Sequence, residues 1–175
     1  KSRGLGDVYK RQELCVIAEE LGRFLAPVPF SSSVYLFTEA IIKYGSEEMK
    51  KDLLPKLVSG DVIGTLAVTE DLFAPSKDNI KLSCESGKIN GKKIAVPDAS
   101  IATHALVVAK SDKGVCLQIA DLSHEGVSIE HQENIDESRG HFSITFEGVD
   151  THAIGDEISG WDIYESIINL SLIHI

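Results

Sequence analysis

The sequence contains side chains capable of acid, base or metal chemistry, but few of them are spaced as they are in known metal-binding or catalytic motifs. The 175 residues include six histidines, none of which forms a metal-binding pair such as His-x-x-x-His. A lone histidine is more typical of a surface or packed residue than of a ligand. Asp136 and Glu137 are adjacent carboxylates, a pattern more typical of a solvated turn than of an acid–base pair. These residues therefore predict neither a metal site nor a catalytic dyad.

Other familiar catalytic signatures are also missing from the sequence. It has no Gly-x-Gly-x-x-Gly, no phosphate-loop Gly-Lys pattern and no Gly-x-Ser-x-Gly elbow. Cys15, Cys84 and Cys116 are widely spaced and form no Cys-x-x-Cys pair. Three scattered cysteines favour buried thiols in a reducing compartment over disulfides or zinc. We therefore expect a cytoplasmic protein.

The charge of the chain disfavours two classes of partner. The net charge is −10, and residues 1–12 contribute +3 to it, so residues 13–169 carry −13. Nucleic-acid binding needs Lys and Arg to neutralise phosphates, and anionic membrane surfaces attract basic segments. No apolar run reaches the roughly 20 residues that a membrane span needs. We expect no nucleic-acid partner and no membrane span.

The strongest functional signal is a set of segments in a fixed order. Residues 44–70 read YGSEEMKKDLLPKLVSGDVIGTLAVTE. They resemble the acyl-CoA dehydrogenase family, with its Gly-[Ser/Thr]-x-Glu-x-x-Lys helix, Leu-Pro-x-Leu step, Gly and strand ending in Ala-x-Thr-Glu. Three later segments are also similar to segments of that family, in the same order: residues 90–110, the segment FEGVDTHAIG at 146–155, and Gly160-Trp161. The order, more than any single motif, carries the resemblance.

The resemblance implies an α+β fold in three parts. Residues 13–60 correspond to the end of an N-terminal α-helical domain, and residues 61–158 to a middle β-barrel domain. Residues 159–169 begin a C-terminal helical domain that is otherwise missing. A coincidental α+β domain is the bland alternative.

Both ends of the chain resemble translated sequencing adapter. Asp7 to Gln12 read DVYKRQ, the translation of GAT GTG TAT AAG AGA CAG, and residues 170–175 read LSLIHI, the translation of its reverse-complement counterpart. Such segments have to be set aside before the fold is interpreted. We expect residues 1–12 and 170–175 to be adapter-derived. A natural basic arm and an apolar tail are the alternative.

The resemblance implies an FAD site between the middle and C-terminal domains. Leu66, Val68 and Thr69 fall where family members contact the flavin ring, and a backbone N–H with a Thr hydroxyl suits that role. Val96 and Pro97 fall in the second flavin strand. Many members have an aromatic residue and Ile-Thr-Asn there, whereas this chain has Ala95-Val96-Pro97-Asp98.

A second departure from the family concerns the loop after the first flavin strand. Many members continue Thr-Glu with Pro-Gly-x-Gly-Ser-Asp, but residues 71–76 read DLFAPS. The glycines that let a backbone approach a ligand closely are therefore missing.

The implied reaction is α,β-dehydrogenation of an acyl-CoA thioester, with a carboxylate taking the α proton and the flavin the β hydride. The family base lies in the C-terminal domain, and the family Glu at the position of Glu70 is not the base, so no catalytic residue is assigned. The implied partners are acyl-CoA and electron-transfer flavoprotein or a similar acceptor, in a homo- or hetero-oligomer. The alternative is a non-catalytic, flavin-poor companion subunit of a heteromeric acyl-CoA dehydrogenase.

Hydrophobic spacing predicts the elements that would position these residues. Residues 13–25 have helical spacing. A second helix would be capped by Ser31 to Ser33 and ended by a left-handed Gly45. A third would start at Ser46, kink or divide at Pro55 and end at Ser59-Gly60. Residues 161–169 return to helical spacing.

Between them lie short β-prone runs, which predict an antiparallel barrel or sandwich. Asn90-Gly91 is expected to form a tight turn, and residues 111–114 a hairpin loop. The predicted strands are residues 62–69, 80–84, 88–96, 105–109, 115–120, 127–130 and 141–147.

Overall fold

A computed structural model describes residues 5–135, 138–156 and 159–172, without the side chains of residues 5–11 and 170–172. Asp136 and Glu137 lie outside the described residues, as do residues 1–4 and 173–175. The prediction of adapter-derived ends stays a prediction. The helical elements are α1 (Leu5–Arg23), a π-helix (Phe30–Thr38), α2 (Glu39–Tyr44), α3 (Glu47–Ser59) and α4 (Gly160–Leu172).

The second helical segment begins differently from the prediction. The π-helix follows Pro29, with no side-chain cap, so the expected capping by residues 31–33 is wrong. Gly45 is also not left-handed, since its φ is −67° and its ψ is 148°. A Cβ at Gly45 would instead lie 2.6 Å from the carbonyl oxygen of Ile41. The glycine is needed for close approach to the last turn of α2.

Helix α3 forms as its sequence predicts at both ends. The Ser46 hydroxyl accepts a hydrogen bond from the Met49 N–H at 3.1 Å, while Glu47 and Glu48 lie at the positive end of the helix. Gly60 ends it with a left-handed φ of 83°. Pro55 does not divide it, because the helix continues to Ser59.

Seven strands build a barrel-like sheet in the middle of the chain. The strands are β1 (Gly64–Ala67), β2 (Ser83–Glu85), β3 (Lys88–Pro97), β4 (His104–Lys110), β5 (Val115–Asp121), β6 (Val127–Gln132) and β7 (His141–Ile154). Hydrogen bonding runs from β4 through β2, β3, β7 and β5 and returns to β4, while β1 adds to β4 and β6 adds to β7.

Strand pairing confirms the barrel and corrects two details. Most pairs are antiparallel, but β1 pairs parallel with β4, and a single bridge makes β2 parallel to β4. The tight turn is not at Asn90-Gly91, which lies inside β3. It is at Ser86-Gly87, where both residues have positive φ (51° and 78°) and join β2 to β3. That backbone matches the right-handed twist of a hairpin.

Two apolar clusters form the core. Alternate residues of β4 separate them: Ala105, Val107 and Ala109 belong to the barrel interior, whereas Leu106 and Val108 pack against helices. The cluster that packs against the helices includes Phe37 and Ile41, which are both fully buried. This division fixes helices on one face of the sheet. Cys84 and Cys116 are buried as expected, but Cys15 is exposed.

Candidate functional site

The chain segment that follows β1 is held by hydrogen bonds from strand β3. The carbonyl oxygen of Thr69 accepts a hydrogen bond from the Ile94 N–H at 2.8 Å. One residue earlier, the Val68 carbonyl accepts from the Lys93 Nζ at 2.9 Å. These two bonds continue the attachment of the segment after regular strand pairing stops at Ala67.

A buried ion pair completes this attachment. The Lys93 Nζ lies 2.7 Å from Glu70 Oε1, and the Lys93 side chain is 0% exposed. Glu70 also accepts the N–H groups of Lys81 and Leu82, at 2.7 and 3.0 Å. Burial lowers the pKa of Lys93 below its ordinary 10.5, against the opposing hydrogen bond and charge of Glu70. Glu70 is therefore a satisfied structural carboxylate with three donors.

The first three residues expected at the flavin lie on this segment. Leu66 and Val68 are buried in the cluster against the helices. Thr69 is partly exposed. Among the hydrogen bonds of the described residues, none uses the Thr69 hydroxyl. Its main chain is thus fixed while its hydroxyl remains available to a ligand.

The other two expected residues lie on the neighbouring end of β3. The Pro97 carbonyl accepts from the Thr65 hydroxyl at 2.6 Å, so the structure brings both expected segments together. Val96, however, is 1% exposed and belongs to the barrel interior. Ala95 has a φ of 53°, and its N–H donates to Gln132 Oε1 at 2.7 Å. This end of β3 bulges between Lys93 and Val96.

The loop at residues 71–76 presents apolar side chains to solvent. Leu72 and Phe73 are 97% and 76% exposed. The Phe73 N–H donates to Asp71 Oδ1 at 3.0 Å, which turns the loop locally. The loop thus lacks glycine and carries two exposed large apolar groups beside the Glu70 anchor.

A polar cluster that the sequence did not predict joins the π-helix to the barrel. The Arg139 guanidinium pairs with Asp98 and donates to the Ser31 hydroxyl at 2.7 Å, while the Ser32 hydroxyl donates to Asp98 at 2.6 Å. Ser31, Asp98 and Arg139 line a cavity of about 420 Å³ together with apolar residues of α1. Burial alone would raise the pKa of Asp98, but hydrogen bonds from Arg139 and Ser32 outweigh it and lower that pKa.

Two other kinds of site are not found in the described part of the chain. No group of three or more His, Cys, Asp or Glu residues could hold a metal ion there. Within the same residues, no helix combines the length and apolar character that crossing a bilayer requires.

Comparison with known proteins shows which protein family this chain resembles. Residues 3–61 match the family model described as "Acyl-CoA dehydrogenase, N-terminal domain". A mitochondrial isovaleryl-CoA dehydrogenase from Oryza sativa subsp. japonica is 30% identical over 138 residues, which cover 71% of this chain and 32% of that protein. The chain belongs to the acyl-CoA dehydrogenase family. It spans about a third of the length of such curated relatives.

Solved structures of acyl-CoA dehydrogenases agree with the fold. A structure titled "Tcur3481-Tcur3483 steroid ACAD G363A variant" is 27% identical, has a TM-score of 0.75, and covers 92% of this chain and 43% of its own. A glutaryl-CoA dehydrogenase from Mycobacterium smegmatis, solved in complex with FADH2, has a TM-score of 0.73 at 22% identity, with 82% of this chain and 39% of its own covered. The acyl-CoA dehydrogenase arrangement of helices and β domain therefore extends well beyond residues 3–61.

Proposed function

We propose that this chain is the helical and middle-domain part of a flavin-dependent acyl-CoA dehydrogenase that carries out α,β-dehydrogenation of an acyl-CoA thioester. The supporting observation is the segment at residues 68–70. Its main chain is bonded to Lys93 and Ile94, and Thr69 is partly exposed on this fixed backbone. Fixed donors of this kind orient a cofactor and tune its electronics.

The residues of this chain fit a flavin on one side of the site. Leu66, Val68 and Thr69 would form that side, with the Thr69 hydroxyl as a donor. Pro97 would close the other side with apolar surface only, because it has no N–H and its carbonyl is already bonded to Thr65. Val96, which is 1% exposed, would support Pro97 from the barrel interior. FAD, when bound, supplies the two-electron acceptor for the dehydrogenation. The chain contributes binding and orientation.

Glu70 has no part in proton transfer in this proposal. Its carboxylate accepts from Lys93, Lys81 and Leu82, and a base needs a carboxylate free to take a proton from substrate. No catalytic residue is therefore placed within residues 13–169. The proposed boundaries of the helical, middle and following helical segments are 13–60, 61–158 and 159–169.

Flavin content and flavin reduction test the proposal directly. The complete polypeptide encoded by the gene is purified, and its absorbance near about 450 nm is measured before and after anaerobic addition of acyl-CoA thioesters. Isovaleryl-CoA belongs in the panel because several relatives carry that name. We expect a yellow protein that at least one thioester bleaches. A yellow protein that no thioester bleaches would contradict the proposed reaction.

A flavin-poor companion subunit is the second candidate. Ala95 cannot stack on a ring, its N–H is committed to Gln132, and the loop at residues 71–76 has no glycine. One structural neighbour is titled as a complex, "Crystal structure of the ChsE4-ChsE5 complex from Mycobacterium tuberculosis", and resembles this chain in fold. A colourless full-length protein that copurifies with a second, yellow dehydrogenase chain would favour this candidate over the first.

Partners and compartment follow from the same proposal. We propose acyl-CoA as substrate, electron-transfer flavoprotein or a similar acceptor as redox partner, and a homo- or hetero-oligomer as the working form. The buried Cys84 and Cys116 support a reducing compartment, for which we propose the cytoplasm. Fractionation of the source cells, with the protein detected by antibody, tests the compartment.

A further inference from the structure

We infer that Lys93 is a positioning residue for the flavin contact at Thr69, acting through Glu70 and the Val68 carbonyl. This role rests on the proposed function, because it concerns the segment that would hold the flavin. Lys93 does not touch the cofactor in this arrangement. It fixes Val68 and Glu70, the residues on either side of Thr69, and Thr69 is the residue that would contact the flavin.

The first support is the location of Lys93 within β3. Ile89 and Val96 of the same strand are buried in the barrel interior, and Lys93 is buried with them at 0% exposure. A lysine is rarely placed in such an environment unless it is paired. Its pairing with Glu70 and Val68 explains how its charge is accommodated there.

The second support is the pattern of bonds around Thr69. Lys93 bonds the Val68 carbonyl and the Glu70 carboxylate, so it spans the residues before and after Thr69. Ile94, the next residue of β3, bonds Thr69 itself. Strand β1 ends at Ala67, so these contacts replace a regular β-ladder. The Lys93 side chain therefore holds residues 68–70 in place, as main-chain pairing with β4 holds β1.

The third support is the way Glu70 extends the restraint. Its two oxygens accept the N–H groups of Lys81 and Leu82, which lead into β2. The Lys93–Glu70 pair therefore ties three segments together at one point. Charge-assisted bonds of this kind are stronger and shorter than neutral ones. Loss of the pair should loosen residues 68–70 specifically.

The test compares two double variants of the complete polypeptide. Lys93→Met/Glu70→Gln removes the buried pair without leaving a lone charge. Lys92→Met/Glu130→Gln removes an exposed pair that joins the neighbouring residue of β3 to β6. The atoms of that pair are 3.3 Å apart, and the side chains are 50% and 66% exposed. FAD dissociation constants are measured by fluorescence of the free flavin, and exchange of the Ile94 amide is followed in the apoprotein.

We expect the first double variant to bind FAD about tenfold more weakly, as loss of roughly one hydrogen bond implies, and to shift the flavin absorbance maximum. Its Ile94 amide should exchange faster than in wild type. The control variant should change neither FAD affinity nor exchange. The conservative replacement Lys93→Arg can reach both the Val68 carbonyl oxygen and the Glu70 carboxylate oxygen. FAD affinity restored in that variant would add support.

Two outcomes would overturn the inference and one would overturn its premise. Wild-type FAD affinity and spectrum in Lys93→Met/Glu70→Gln, even with lowered stability, would make the pair merely structural. If that variant does not fold, the isosteric Glu70→Gln takes its place, and unchanged FAD affinity there has the same meaning. A wild-type protein that binds no FAD would instead contradict the proposed function.

Discussion

Arg139 binds the Asp98 carboxylate through both Nε and an NH2 group. The same guanidinium reaches Ser31 of the π-helix, and the Ser32 hydroxyl also bonds Asp98. Asp98 follows the last residue of β3 and has a positive φ of 57°. A bidentate pair therefore fixes the π-helix against the barrel at the end of the strand expected beside the flavin.

Asp98→Asn should make stability less sensitive to acid. The pKa of folded Asp98 lies below its ordinary value of 3.8, so its contribution is present above 3.8 and is lost as pH falls through the folded pKa. At neutral pH we expect a loss of about 1–2 kcal/mol in the free energy of unfolding. The difference from wild type should shrink as pH falls below 3.8. Urea denaturation at several pH values, followed by circular dichroism, measures it.

Asp52→Asn is the matched control for that experiment. Asp52 also pairs with a cation, Lys56 at 2.7 Å, but its side chain is 59% exposed. Exposed pairs on a helix contribute no more than about 0.5 kcal/mol. An Asp98→Asn effect that is equally small, or that does not change with pH, would show that the Arg139 contact adds nothing to stability.

Lys93→Met alone should destabilise the fold far more than the double variant. It leaves Glu70, whose side chain is 9% exposed, as a buried charge without its cation. Breaking one side of such a pair costs about 3–5 kcal/mol, whereas replacing both sides is often close to neutral. We expect Lys93→Met/Glu70→Gln to recover most of that loss in urea denaturation. Additive losses from the two single changes would argue against coupling.

Gly64→Ala should be destabilising, whereas Gly22→Ala should not. A methyl group at Gly64 would overlap the fully buried ring of Phe37, while nothing lies within 4 Å of one at Gly22. Overpacking in a core lowers the free energy of unfolding by about 1–3 kcal/mol. Replacing a helical glycine by alanine instead raises it by up to about 1 kcal/mol. Thermal unfolding of both variants measures the difference. A harmless Gly64→Ala would mean that β1 can move away from the π-helix.

The parts of the fold that follow from local pattern were predictable. Ser46 caps α3 and Gly60 ends it because each needs only its own neighbours. The order of strands also followed from alternating apolar runs. The turn at Ser86-Gly87 was missed because Asn90-Gly91 carries the stronger turn signal. Tertiary pairing of β3 with β7 overrides that signal and keeps both residues in the strand.

Contacts between distant residues could not be predicted from pattern. Arg139 and Asp98 are 41 residues apart, and Lys93 and Glu70 are 23 apart. The family resemblance pointed to the segment around Thr69, but it did not indicate which residues fix that segment. A lysine among the apolar positions of β3 was the one available signal. It became interpretable only with the three-dimensional arrangement.

The most direct test of the proposed flavin site is the FAD affinity of Thr69→Val beside that of Thr145→Val in the complete polypeptide. Both are partly exposed threonines, and no hydrogen bond of the described residues uses either hydroxyl. If the Thr69 hydroxyl holds the flavin, Thr69→Val should weaken FAD binding about tenfold, while Thr145→Val leaves it unchanged. Equal FAD affinity in wild type and both variants would contradict a flavin contact at Thr69.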